Sequence, residues 1–63
     1  MDVYTAALEA QVNLTRASLG VALALANIAF EEDKDMRAPL RQIDFRYDDY
    51  QFALAEYRKA IKQ

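Results

Sequence analysis

The sequence has no cysteine and no histidine among its 63 residues, and it has only one glycine and one proline. Without cysteine it can form neither a disulfide nor a thiolate metal site. Without histidine it lacks the usual acid–base group of neutral pH and a common metal ligand. A chain this short usually needs disulfides, a metal or a second chain to supplement its small core. Association with other protein chains is therefore the expected source of additional stability.

The scarcity of glycine and proline, together with twelve alanines, favours helix. Hydrophobic residues make up 54% of the chain and charged residues 29%, which is typical of a folded chain rather than a disordered one. The sequence therefore predicts a single all-α domain over residues 1–63.

The net charge of −2 argues against a protein that grips phosphates electrostatically. Residues 1–35 carry two basic and six acidic side chains, whereas residues 36–63 carry six basic and four acidic ones. We therefore expect no nucleic-acid partner, and the opposite charges of the two halves suit pairing within the chain.

A polar cluster at residues 31–35, followed by Pro39, predicts one turn. Proline is tolerated near the start of a helix but not in its interior, and Asp35 offers the best N-cap for a second helix. The prediction is a first helix over about residues 3–31 capped by Asp2, a turn over about 32–35, and a second helix over about 36–62.

Apolar residues of the second helix recur at alternating spacings of three and four, the pattern of a coiled-coil seam. A similar stripe on the first helix mirrors it about a point between Lys34 and Asp35, inside the predicted turn. These patterns predict an antiparallel, coiled-coil-like two-helix hairpin. The alternative is a nearly continuous helix, kinked at Pro39, that forms a bundle only between chains. The expected intrachain seam consists of Leu8, Val12, Thr15, Leu19, Ala22, Ala26, Ala29, Leu40, Ile43, Tyr47, Tyr50, Leu54, Tyr57 and Ile61.

Several large apolar side chains fall outside this seam. On the first helix they form a second ridge on one flank, with two more on the other flank, and on the second helix two phenylalanines lie seven residues apart. Leaving them in water would forfeit on the order of 10 kcal/mol, comparable with the stability of an ordinary domain. We expect oligomerisation to complete a helical bundle through a protein interface made by Leu14, Val21, Leu25, Ile28, Leu23, Phe30, Phe45 and Phe52.

The acidic residues do not predict a catalytic or metal-binding site. Asp44 and Asp48 lie four residues apart, but nearby arginines favour solvated or salt-bridged carboxylates over an acid–base pair. No hydroxyl group has a histidine base, there is no glycine-rich phosphate loop, and the turn acids lack the spacing of a calcium loop. We expect no catalytic residues, no metal and no cofactor, and thus no enzyme.

The most apolar segment, residues 19–30, would span about 18 Å as a helix, against roughly 30 Å for a bilayer core. The N-terminus lacks the basic residues of a secretory signal. We therefore expect no membrane partner, and a location in the cytoplasm or within an assembled particle.

These features together predict a non-enzymatic structural subunit that self-associates or packs into a larger protein assembly. The alternative function is a small regulator or adaptor that is soluble alone and captures a helix of one target protein in its groove.

Overall fold

The computed structural model describes residues 2–62, which form two α-helices and no strand. Helix α1 spans Val3–Glu31 and helix α2 spans Arg37–Lys62. They pack side by side in a molecule that measures 47 × 13 × 11 Å. A continuous helix of this length would extend for about 90 Å, so the predicted all-α hairpin is confirmed and the continuous alternative is wrong.

Asp2 is the N-cap of α1, as predicted, and precedes its first helical residue, Val3. The Asp2 carboxylate accepts a hydrogen bond from the Thr5 backbone N–H at 2.6 Å, and its carbonyl accepts the first helical bond, from Ala6 at 3.0 Å. The bond from Thr5 favours the ionised carboxylate and lowers the pKa of Asp2.

The end of α1 is closed by backbone hydrogen bonds in the Schellman pattern. Lys34 N–H donates to the Ala29 carbonyl at 2.9 Å and Asp33 N–H donates to the Phe30 carbonyl at 3.1 Å. This geometry requires a left-handed residue, and Asp33 supplies it with φ of 56°. Aspartate tolerates this region better than most residues, but glycine fits it without strain.

Helix α2 begins one residue later than predicted, and Asp35 is not its N-cap residue. Leu40 N–H donates to the Met36 carbonyl at 3.0 Å, which places Met36 at the cap position. The Asp35 carboxylate instead accepts from the backbone N–H of Arg37 at 3.0 Å and from its guanidinium Nε at 2.9 Å. Pro39 lies in the first turn, where a missing N–H leaves no helical bond unmade.

The face that α1 turns toward α2 is made of small and medium side chains. Its buried members are five residues of the expected stripe, whereas Leu8 and Leu19 are half-buried. The Thr15 hydroxyl donates to the carbonyls of Gln11 and Val12, so its burial leaves no polar group unsatisfied. The buried residues of α1 are Val12, Thr15, Ala22, Ala26 and Ala29.

On α2 the contact face is rotated from the expected seam. Leu40, Tyr47 and Ile61 are 52%, 50% and 55% exposed, whereas Ala53, which the seam omitted, is only 4% exposed. Small side chains allow two helix backbones to approach closely, and alanine meets that requirement where tyrosine does not. The other expected members, which lie nearer the contact, are half-buried: Ile43, Tyr50, Leu54 and Tyr57.

Candidate protein-interaction surface

The hairpin leaves much of its apolar surface in solvent. Among residues 2–62 no large side chain is fully buried, whereas thirteen large hydrophobic residues are exposed. All eight of the expected interface residues belong to this exposed set, with exposures between 49% and 71%. The surfaces that the sequence pattern assigns to an interface are therefore uncovered in the single chain.

A groove runs between the two helices along one side of the hairpin. Its lining combines apolar side chains with two carboxylates, and it brings residues of α1 opposite residues of α2 that are far away in the sequence. The lining residues are Leu8, Gln11 and Thr15 of α1 and Asp49, Phe52, Ala53 and Glu56 of α2.

One hydrogen bond crosses the hairpin farther along the same side. The Arg46 guanidinium on α2 donates from Nη1 to the Ser18 carbonyl oxygen on α1 at 3.1 Å. The three ion pairs found among residues 2–62, by contrast, each join residues no more than three positions apart, near the turn or within α2. Among the described residues, Arg46 therefore provides the polar connection between the helices.

The groove lining and the Arg46–Ser18 hydrogen bond show which apolar surfaces of α1 and α2 lie on the same side of the hairpin. Residues seven apart lie almost on one line along a helix, so Gln11, Ser18 and Leu25 form one column of α1, and Phe45 and Phe52 form one column of α2. Gln11 and Phe52 line the same groove, and the Ser18 carbonyl meets Arg46 on that side. Phe45 and Phe52 therefore lie on the same side of the hairpin as the groove, and we call this side the groove face. The ridge of α1 adjoins it and consists of Leu14, Val21, Leu25 and Ile28.

The opposite side, which we call the back face, carries a second apolar surface. Leu23 and Phe30 lie on the flank of α1 away from the groove, and they are 51% and 71% exposed. Leu40 and Tyr47 occupy the corresponding flank of α2, because they lie on the other side of its contact face from Phe45 and Phe52. The sequence pattern identified Leu23 and Phe30 as uncovered but assigned Leu40 and Tyr47 to the seam.

Sequence reasoning did not assign Arg46 to the helix contact, because an arginine among acidic residues is usually a solvated charge. A weak signal was present: Arg46 lies seven residues before Ala53 and fourteen before Ala60, in one column of α2. Its half-buried side chain can cover apolar surface with its stem while the guanidinium reaches a polar atom. The carboxylates of Asp44, Asp48 and Asp49 are exposed.

Helix α1 as a whole is more apolar than the segment 19–30 suggested. An 18-residue window within Val3–Glu31 has a mean hydropathy of 1.3, and 22% of that window is buried in the hairpin. By length and composition α1 is long and apolar enough to cross a membrane, a criterion that core helices of soluble proteins and signal sequences also meet. The length argument drawn from residues 19–30 alone is therefore insufficient.

No protein-family model, no curated protein and no solved structure matches this chain. The exposed apolar surfaces and the charges around them therefore carry the functional inference.

Proposed function

We propose that the protein is a non-enzymatic interaction subunit that self-associates, or enters a larger protein assembly, through the groove face and the adjoining ridge of α1. The observation that carries the proposal is the concentration of six exposed large apolar residues on these joined surfaces. Covering their exposed area would contribute roughly 5–10 kcal/mol, comparable with the net stability of a small domain. The six residues are Leu14, Val21, Leu25, Ile28, Phe45 and Phe52.

The total accessible area supports the same proposal. The hairpin exposes 4919 Å² for a mass of 7.2 kDa, whereas a compact monomer of that mass would expose about 4,100 Å². The difference is close to the roughly 800 Å² that each partner buries in a protein interface of standard size. One such interface would bring the exposed area per chain to that of a compact protein.

Two features favour a protein partner over a lipid bilayer for the apolar side of α1. Glu9 and Arg16 lie within the helix, and an ionisable side chain in hydrocarbon costs several kcal/mol. Helix α2, which packs along α1, carries ten charged side chains, so a buried α1 would bring a highly charged helix against the lipid. Binding to phosphatidylcholine vesicles in a flotation assay, with no self-association in solution, would overturn the proposal.

The proposal is tested by placing a charge on the groove face. Leu25→Asp and the double variant Val21→Asp/Leu25→Asp should dissociate the assembly in sedimentation equilibrium, because each buries a carboxylate in the apolar contact. Gln51→Asp is the matched control, since it adds the same charge at an exposed position on the outer side of α2. Circular dichroism checks that each variant remains helical.

Two results would contradict the proposal. The first is an unchanged assembly mass in both Leu25 variants, which would exclude the groove face and the ridge of α1 as the interface. The second is an unmodified chain that stays monomeric and helical at all concentrations, which would favour the adaptor function, in which the groove receives a helix of another protein.

A further inference from the structure

The side of α1 that faces away from α2 carries a second regular stripe, which we call the outer stripe. Its members alternate at spacings of four and three from the first turn of the helix to the last, and all eight are exposed in the hairpin. Such spacing is the pattern of a helix that packs lengthwise against another helix. The outer stripe consists of Val3, Ala7, Ala10, Leu14, Ala17, Val21, Ala24 and Ile28.

The outer stripe fits an inverted copy of itself. Reversing it about a point between residues 15 and 16 brings Leu14 opposite Ala17 and Val21 opposite Ala10. A large side chain thus meets an alanine at both central positions, and two alanines, Ala7 and Ala24, face each other farther out. A two-fold interface needs this kind of self-complementarity, because each contact occurs twice with the roles of the residues exchanged.

We propose that two copies of the chain pair through their outer stripes, with the α1 helices antiparallel about a two-fold axis between residues 15 and 16. The proposal rests on the self-association proposed above and assigns one of its contacts to the ridge residues Leu14, Val21 and Ile28, which belong to the outer stripe, whereas Phe45 and Phe52 lie outside this contact. Large-to-small pairing allows close packing of the two helices.

Between Val3 and Ile28 the stripe contains no charge. Glu9 and Arg16 lie outside it, and Glu31, which continues the spacing three residues after Ile28, lies beyond the paired region, so the pairing buries no ion. On one border Gly20 leaves open space, since a methyl group added there would meet no atom within 4 Å. The partner helix can therefore approach along that border without a steric obstacle.

Charge at the ends of the hairpin favours the antiparallel arrangement. Residues 31–35 at the turn carry four acidic side chains and one basic one, whereas the opposite end of the molecule carries Arg58, Lys59 and Lys62 together with Asp2 and Glu56. An antiparallel pair places the acidic turn of each copy at the same end as the weakly basic end of the other, and complementary charges stabilise and orient such contacts. A parallel pair would bring two acidic turns together.

The available area is sufficient for a stable dimer. The stripe from Val3 to Ile28 extends for about 38 Å along the helix, and covering one side of a helix of about 10 Å diameter over that length buries roughly 600 Å² per copy. This corresponds to about 1,200 Å² in total, the lower bound for stable, specific interfaces.

Cysteine cross-linking tests the pairing, because the natural sequence contains no cysteine. The variants Ala7→Cys and Ala24→Cys change exposed alanines on α1. Mixed at equilibrium, with one variant carrying an affinity tag, they should form disulfide-linked mixed dimers, and each variant alone should form few. Within one chain the two positions are about 26 Å apart, so they cannot link to each other. The control is Ala7→Cys mixed with Ala55→Cys, an exposed position on α2 that should not link efficiently.

The outcomes separate this inference from the proposed function. Efficient linking of each variant to itself would mean a parallel pair and would overturn the inference. An assembly that forms normally, with cross-linking no better than in the Ala55 control, would also overturn it but would leave self-association intact. A monomeric chain in sedimentation equilibrium would overturn both.

Discussion

Arg46 of α2 donates a hydrogen bond to the carbonyl oxygen of Ser18 on α1 at 3.1 Å, across 28 residues of sequence. A helical carbonyl has a second lone pair, so this bond adds to the helix rather than competing with it. The side chain of Arg46 is also half-buried, and an arginine at such a position can cover apolar surface with its stem while its guanidinium reaches a polar atom. The bond therefore connects the helices on the side where the exposed phenylalanines lie.

Replacing Arg46 by alanine should lower the free energy of unfolding by about 1 kcal/mol, because both the hydrogen bond and the packing of the stem are lost. Arg41→Ala is the control, since Arg41 is exposed on the same helix. Urea denaturation followed by circular dichroism measures both variants. Equal stability of the two variants would mean that the Arg46 bond contributes nothing to the hairpin.

Because the contact face of α2 is rotated toward Ala53, substitutions at Ala53 and Tyr47 should lower the free energy of unfolding by different amounts. Enlarging Ala53 to leucine should destabilise the hairpin by about 1–3 kcal/mol, because the site is 4% exposed and lies against α1. Truncating Tyr47 to alanine should cost less, because half of that side chain is already in water. Urea denaturation at the lowest usable protein concentration separates this effect from any assembly. A larger loss of stability in Tyr47→Ala than in Ala53→Leu would mean that Tyr47 lies at the centre of the helix contact.

Asp33 holds a left-handed conformation with φ of 56° at the end of α1. Asp33→Gly should raise the free energy of unfolding by up to about 1 kcal/mol, because glycine adopts this conformation without steric cost. Asp33→Ala is the control, because it also removes the charge but keeps a Cβ atom. Thermal unfolding should rank glycine above alanine. If alanine is equal to glycine or better, the turn does not depend on the left-handed residue.

The carboxylates of Asp2 and Asp35, which lie at the starts of the two helices, predict a loss of stability in acid. The hydrogen bond from Thr5 lowers the pKa of Asp2, and the guanidinium and N–H of Arg37 lower the pKa of Asp35, both from the ordinary value of 3.8. Because these groups bind protons less readily when folded, their contribution is fully present above that value and is lost as the pH falls through the lowered pKa.

Helicity and the midpoint of urea denaturation should therefore stay constant from about pH 7 to pH 5 and fall below about pH 4. Asp2→Ser keeps a capping side chain that does not titrate in this range, so its acid transition should be shallower. An acid transition in Asp2→Ser that matches the unmodified chain would exclude Asp2 as a contributor.

The helices and their turn were predictable from the sequence because the signals are local. Asp2, the acidic cluster and Pro39 each act within a few residues, and the predicted and observed boundaries differ by one residue at the start of α2. The stripe of buried alanines on α1 was also predictable, because it repeats at spacings of three and four and mirrors the apolar stripe of α2 about the turn.

The orientation of α2 was not predictable, because it depends on a competition between two columns of side chains. The apolar seam that contains the tyrosines has seven members at spacings of three and four, whereas the column of Arg46, Ala53 and Ala60 has three. Tyrosines, however, are large and can keep a hydroxyl in water at the edge of a contact. Close approach of the helices favours the alanine column. The position of the phenylalanines beside the ridge of α1 follows from this rotation, and the sequence pattern alone did not show it.

We propose that another copy of the chain covers the apolar groove face and ridge of α1. Sedimentation equilibrium of the unmodified protein over a wide concentration range, with circular dichroism at each concentration, tests this proposal. The mass should rise from 7.2 kDa to at least twice that value as concentration increases. A fully helical 7.2 kDa monomer at every concentration would contradict it.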